Sequence, residues 1–212
     1  MKKTIAIIND RNPVQEDFMG NGVGGSETWI IELAKQFRLN GYNVKVFSSD
    51  QRWIMYSSGV EYLPSYLLEY KLSFIHFDHI IICRYVYQKT LDILSKYVKN
   101  INKISWMIHD TCILIDSESP RSFNEMVENN ICICEKFHKF IYLTKFGKDV
   151  IQAYVDIPDD KFVMIGNGIR FEYEVDENVE RDNNFLWSSR WERGLELFAF
   201  DILPYIHERY PD

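Results

Sequence analysis

Three short segments of this chain carry residue types that hold an anion or move a proton. The first is Gly24-Gly25-Ser26-Glu27, at the mouth of an amphipathic stretch. Glycines at a helix start let a ligand approach the backbone, and the N–H groups there, with the helix dipole, attract anions. Glu27 falls in the first turn, where a carboxylate gains about 0.3–1 kcal/mol from that dipole. The bland alternative is a flexible loop and an ordinary helix start. The second segment is His109-Asp110, at the end of an apolar run. A histidine there suits hydrogen bonding to a sugar hydroxyl or positioning of a substrate. Its alternative is a loop histidine paired with Asp110 for structural reasons. The third is Ser188-Ser189-Arg190-Trp191-Glu192-Arg193-Gly194, just before another helical stretch. A diphosphate leaving group needs positive charge and N–H donors where negative charge develops, and arginine supplies forked, charge-assisted bonds. The alternative is a solvated helix start. Asn167-Gly168 reads as a turn with positive φ that closes the first domain, with ligand contact as a lesser role.

Gly20, Gly22 and Gly25 also satisfy G-x-G-x-x-G, with Asp50 after the second strand as a ribose ligand. That pattern allows a nicotinamide-dependent oxidoreductase as a rival reading. In the dinucleotide fingerprint, however, the first glycine follows its strand directly. Here the glycines lie well downstream of Ile8, which argues against it.

These residues need a scaffold, and the sequence describes one. Strands are expected at Thr4–Ile8, Val44–Phe47, His79–Cys83, Lys103–Ile108, Phe140–Leu143 and Lys161–Ile165, each short, apolar and closed by polar or glycine residues. Helices are expected from Ser26 to Asn40, where Ile30, Leu33, Ala34 and Phe37 share helical spacing, at 89–98, at roughly 123–138, and from a Thr144 cap to about Tyr154. Residues 51–77 are ambiguous, and 117–120 read as loop. Strands alternating with helices predict an α/β fold, a Rossmann-like parallel sheet with helices on both faces. Ligands in such sheets bind beyond the carboxyl ends of the strands. The expected division is a first domain at 1–169, an acidic linker at 170–184, and one strand (Phe185–Ser188) and one helix (Leu195–Tyr210) at 185–212.

The segment GGSETWIIELAKQFRLNGYNVKVFS resembles the first β-loop-α-β of glycosyltransferase family 4, enzymes of GT-B fold. Three later segments resemble that family in the same order: WMIHD, FIYLTKFGKDVIQAYVDIPDDKFVMIGNGI and FLWSSRWERGLE. The resemblance implies retaining transfer of a sugar from a nucleotide-diphosphate sugar to a glycan or other small acceptor. It implies that His109, with Asp110 beside it, lines the donor-sugar site as the catalytic-centre histidine. It puts Arg193, and Arg190 near it, against the donor diphosphate, and the acceptor against Gly24-Gly25. Ser188-Ser189 stands where the family usually has a Gly-Arg pair, a departure at its second phosphate ligand. No metal or other cofactor is implied. On this resemblance residues 185–212 are only the opening of the donor-binding domain. The expectations that follow are a truncated GT-B architecture, weak or no activity from these 212 residues alone, and docking of the last helix on the first domain, with pairing to another chain or a longer parent protein as alternatives. A non-catalytic nucleotide- or sugar-binding subunit, or a degenerate remnant, is the alternative.

Bulk properties narrow the field. A net charge of −7 argues against a nucleic-acid duplex as partner, since phosphate neutralisation needs a basic face. No apolar run approaches the roughly 20 residues that span a bilayer. The opening MKKTIAIIND reads as a strand and not as a signal peptide. The four cysteines, Cys83, Cys112, Cys132 and Cys134, lack zinc spacing and read as free thiols in a reducing, cytoplasmic setting.

Overall fold

The computed structural model describes residues 2–10, 13–14, 24–49, 51–100, 103–109, 114–116, 119–120, 135–154, 157–168, 185 and 194–210. The chain divides into two compact units, Met1–Gly168 and Ile169–Asp212.

The first unit is α/β and of the Rossmann-like class. Its elements run β1 (Thr4–Asn9), α1 (Gly25–Leu39), β2 (Asn43–Ser48), β3 (Met55–Ser57), β4 (Val60–Pro64), α2 (Leu68–Phe74), β5 (His79–Cys83), β6 (Val86–Tyr87) and α3 (Gln88–Tyr97). They continue with β7 (Ile104–Ile108), β8 (Leu114–Asp116), β9 (Ser119–Pro120), β10 (Lys139–Tyr142), α4 (Lys145–Tyr154) and β11 (Phe162–Met164). Eight strands form one sheet in the order β11-β10-β7-β5-β1-β2-β4-β3. All its pairings are parallel except β3 with β4, which makes the sheet mixed. The short strands β6, β8 and β9 form a separate sheet. So Ser119 and Pro120, expected in a loop, pair with β8 instead.

Side-chain alternation builds a core on each face. From β1, Ile5 and Ile7 face one way, with Val44, Val46, Ile81 and Met107, and meet Ile30, Ile31 and Ala34 of α1. Ala6 and Ile8 face the other way, with Phe47, Ile80, Ile82 and Trp106, and meet Leu68 of α2, Leu91 and Leu94 of α3 and Ile151 of α4. Burying an isoleucine of this kind contributes about 1.5–3 kcal/mol. The described residues thus place helices on both faces. The expected spacing on α1 holds: Ile30 and Ala34 are buried, and Leu33 and Phe37 pack on the same cluster. Thr144 also caps as expected, its hydroxyl accepting from the Gly147 N–H at 3.2 Å.

Residues 51–77 resolve into β3, β4 and α2. β4 escaped a simple apolar reading because Glu61 is its second residue. That carboxylate is buried yet well partnered: Lys45 of β2 bonds it directly, Lys71 lies at 3.3 Å and Tyr56 donates at 3.1 Å. Asn167 and Gly168 are a correction. Neither has the positive φ expected of a turn. The Ile165 N–H still donates to Tyr142 O at 2.9 Å, so the chain leaves β11 running on beside β10 instead of folding back. The helix expected at roughly 123–138 lies mostly outside the described residues. Its last described part, 135–138, leads into β10 and buries Phe137.

In the second unit the expected helix at 195–210 is present in three parts: an α turn Leu195–Leu197, a π-helical turn Phe198–Ile202 and α5 (Leu203–Arg209). Pro204 explains the widening. It has no N–H to donate to the Phe200 carbonyl, and its ring would crowd that carbonyl in an α turn. Within this unit Phe185 meets Phe198 edge-on at 5.6 Å. Residues 170–184 and 186–188, expected as linker and strand, lie outside the described residues.

Candidate functional site

The strand order sets where a ligand would go. From β1 the chain moves outward through β2 to β4, then returns to the other side of β1 with β5. The direction of winding therefore reverses between β1 and β5. Ligands in open α/β sheets bind at such a switch point, beyond the carboxyl ends of the strands. Here those ends are Asn9-Asp10, Cys83-Arg84 and, one strand further, Ile108-His109.

The start of α1 comes to the same place. Gly24 is the N-cap, with extended backbone, and Glu27 is the third helical residue. In this position a glutamate reaches back towards the cap, and the geometry shows it doing so. A Cβ placed on Gly24 would lie 2.3 Å from Glu27 Oε2. Glu27 is only 4% exposed and accepts a 3.1 Å bond from the Ser26 hydroxyl. Gly25 differs sharply: it is exposed, and a Cβ there would meet nothing within 4 Å. Among the described residues, neither packing nor backbone angle calls for glycine at position 25.

β5 supplies a residue the sequence reading passed over. Arg84 has φ of +68°, the left-handed region that a side chain rarely tolerates. Its backbone is tied on both sides: its N–H donates to Met107 O at 2.8 Å, and its carbonyl accepts from Trp106 Nε1 at 3.2 Å. Its guanidinium lies 4.8 Å above the Tyr85 ring and makes a long, 3.4 Å contact to the Ser26 hydroxyl. Arg84, Ser26 and Glu27 are thus linked in series across the gap between β5 and α1. Cys83, fully buried beside them, has its thiol pKa pushed far up by burial and then by the charge of Glu27.

His109 ends β7 and packs edge-on against Trp29 of α1, with ring centroids 5.2 Å apart. Both its ring nitrogens are shielded from solvent. On the other side, Asp10 follows β1 and accepts a hydrogen bond from Thr90 in the first turn of α3, while its carbonyl accepts from Ser49 at 2.6 Å. Burial raises the Asp10 pKa above 3.8, against the opposing pull of the Thr90 bond and the Lys89 charge. A carboxyl of this kind keeps its proton to a higher pH than an exposed aspartate.

Of the residues singled out from sequence, Gly24, Gly25, Ser26, Glu27 and His109 gather around α1 and the switch point. Asn167 does not join them. It is exposed and follows β11, the outermost strand on the far half of the sheet. Asp110, Arg190 and Arg193 lie outside the described residues, as do Gly20, Gly22, Asp50 and the cysteines other than Cys83. Among the described residues no group of His, Cys, Asp or Glu has a metal-holding arrangement, and no helix is long and apolar enough to cross a membrane. No protein-family model matches the chain, and no curated protein sequence matches it significantly.

Proposed function

We propose that this chain is a glycosyltransferase-like protein of GT-B type, using a nucleotide-diphosphate sugar and retaining the configuration of the transferred sugar. The observation that carries the reading is the convergence of Ser26, Glu27, Arg84 and His109 on the β1/β5 switch point. Two of the segments that resemble family 4, the glycine-led start of α1 and the strand ending in His109, supply three of those four residues. In this proposal the acceptor lies against Gly24-Gly25, where the open space at Gly25 gives it access to the backbone. His109 positions the donor sugar, with Asp110 beside it. The family resemblance assigns Arg190 and Arg193 to the donor diphosphate, which leaves with the electron pair of the broken anomeric bond as the acceptor oxygen bonds the anomeric carbon and passes its proton to the departing phosphate oxygen.

The test is a thermal-stability panel of UDP, GDP, their sugars and NAD, followed by a transfer assay. A ligand that binds only the folded state at about 100 times its Kd adds about 2.7 kcal/mol, an easily read shift. Stabilisation by a nucleotide sugar is the expected result. Binding without transfer would make the chain a nucleotide-sugar binder. A response to NAD alone would overturn the proposal in favour of an oxidoreductase, and no response to any nucleotide would remove its basis.

A further inference from the structure

We propose that Arg84 is the anion-holding residue of the first unit and that it takes a phosphoryl group of the ligand. The inference rests on the functional reading above only in supposing that the ligand is phosphorylated. The amino end of α1 is already occupied by the carboxylate of Glu27, folded back against Gly24. An incoming anion therefore needs a cation, and among the described residues Arg84 is the cation that reaches the mouth of α1.

Three features single it out. It stands at the carboxyl end of β5, one of the two strands between which the winding reverses. It is half-exposed, and its guanidinium spans towards Ser26 at the mouth of α1. Its backbone is held in a left-handed conformation by Met107 and Trp106, at a position where glycine would cost the fold less. A strained arginine kept in a geometry suited to glycine, beside a ligand-binding switch point, points to the guanidinium as the reason. A planar fork of N–H donors matches the oxygens of a phosphoryl group.

The experiment compares the full chain with Arg84→Gly and Arg84→Lys, by thermal melting and by calorimetry. The probes are UDP, UDP-glucose, a hexose 6-phosphate and the free hexose as neutral control. The expected result is an Arg84→Gly protein that melts at or above the wild-type temperature yet binds its phosphorylated probe at least tenfold more weakly. Arg84→Lys, which keeps the charge but loses the fork, should fall between them, and free hexose should not distinguish the three. The arms separate a donor diphosphate from a phosphorylated acceptor by which probe responds to Arg84. Arg84→Gly melting well below wild type would assign the guanidinium to the fold and overturn the proposal. Equal binding of every phosphorylated probe by all three proteins would also overturn it, while nucleotide-sugar binding among them would leave the functional reading intact. Arg84-dependent binding of hexose phosphate with no nucleotide binding would do the reverse. Silence of every probe on the wild type would sink both.

Discussion

Two adjacent glycines at the start of α1 should behave in opposite ways when each becomes alanine. Gly24→Ala places a methyl carbon 2.3 Å from Glu27 Oε2 and 3.4 Å from its Cδ. Ordinary contact begins near the larger of these distances, so the carboxylate must move by about 1 Å. The backbone of Gly24 itself poses no difficulty, since its φ of −65° and ψ of 158° suit alanine. The cost is the displacement of a buried carboxylate from the helix end, up to about 2 kcal/mol in partly buried settings. Alanine is also a poorer N-cap than glycine, by about 0.5–1 kcal/mol. Together these give a loss of about 1–3 kcal/mol, or roughly 3–10 °C in Tm at this chain length. Gly25→Ala meets open space at a helical position, so stability should hold or rise by up to about 0.5–1 kcal/mol. The same substitution should weaken nucleotide-sugar or acceptor binding by closing the approach to the backbone. Urea denaturation of both variants, followed by ligand titration of Gly25→Ala, checks each part. A Gly24→Ala protein as stable as wild type would refute the seating of Glu27. A Gly25→Ala protein with full ligand affinity would refute the role given to the open space.

Other substitutions test the frame around the site. Lys45→Met removes one of the two cations around buried Glu61; because Lys71 and Tyr56 remain, the loss should be about 2–3 kcal/mol, below the 3–5 kcal/mol of a fully stripped pair. Adding Glu61→Leu should recover most of that loss in chemical denaturation, and a further loss would contradict the account. Thr144→Ala should cost about 1 kcal/mol through the lost cap of α4, read as a drop of roughly 2–4 °C in Tm. Asp10 carries a pH signature. Its folded pKa is raised, so its stabilising share is complete below about pH 3.8 and is lost as the pH climbs through the folded value. Asp10→Asn should therefore be more stable than wild type at pH 7 and lose that advantage towards pH 4 in chemical denaturation; an equal difference at both pH values would contradict the burial of the carboxyl.

Much of the sheet was legible because its strands are short apolar runs between helices of clear periodicity. Ile5 to Ile8, Val44 to Phe47 and Ile80 to Ile82 announce buried parallel strands by composition alone, and α1 announces its buried face by spacing. β4 was not legible, because the two cations that make Glu61 acceptable inside it, Lys45 of β2 and Lys71 of α2, lie 16 and 10 residues away. The π turn before α5 depends on how the helix accommodates Pro204, which periodicity does not register. For the site, the Gly24–Glu27 segment could be read from its types and order. Arg84 could not: a lone arginine after an apolar strand has no motif, and its left-handed backbone is imposed by Met107 and Trp106 of β7.

The position of Glu27 also changes how the α1 end must be understood. From sequence, its backbone amides were the natural holders of an anion, with the carboxylate a minor aid to the helix. In the fold the carboxylate sits over that end and is buried there, so the dipole of α1 is largely answered from within the chain. A phosphoryl group approaching Gly25 would meet like charge unless a cation intervened. Arg84 is placed to intervene, since it reaches Ser26, which in turn donates to Glu27. The same series of bonds couples the two elements on either side of the switch point. Loss of the guanidinium should thus change ligand affinity most for anionic ligands, while loss of the Glu27 charge, as in Glu27→Gln, should strengthen anion binding at α1. An anion bound more weakly by Glu27→Gln than by wild type would contradict that electrostatic account, because removing a negative charge can weaken such binding only if the carboxylate organises the site in some other way.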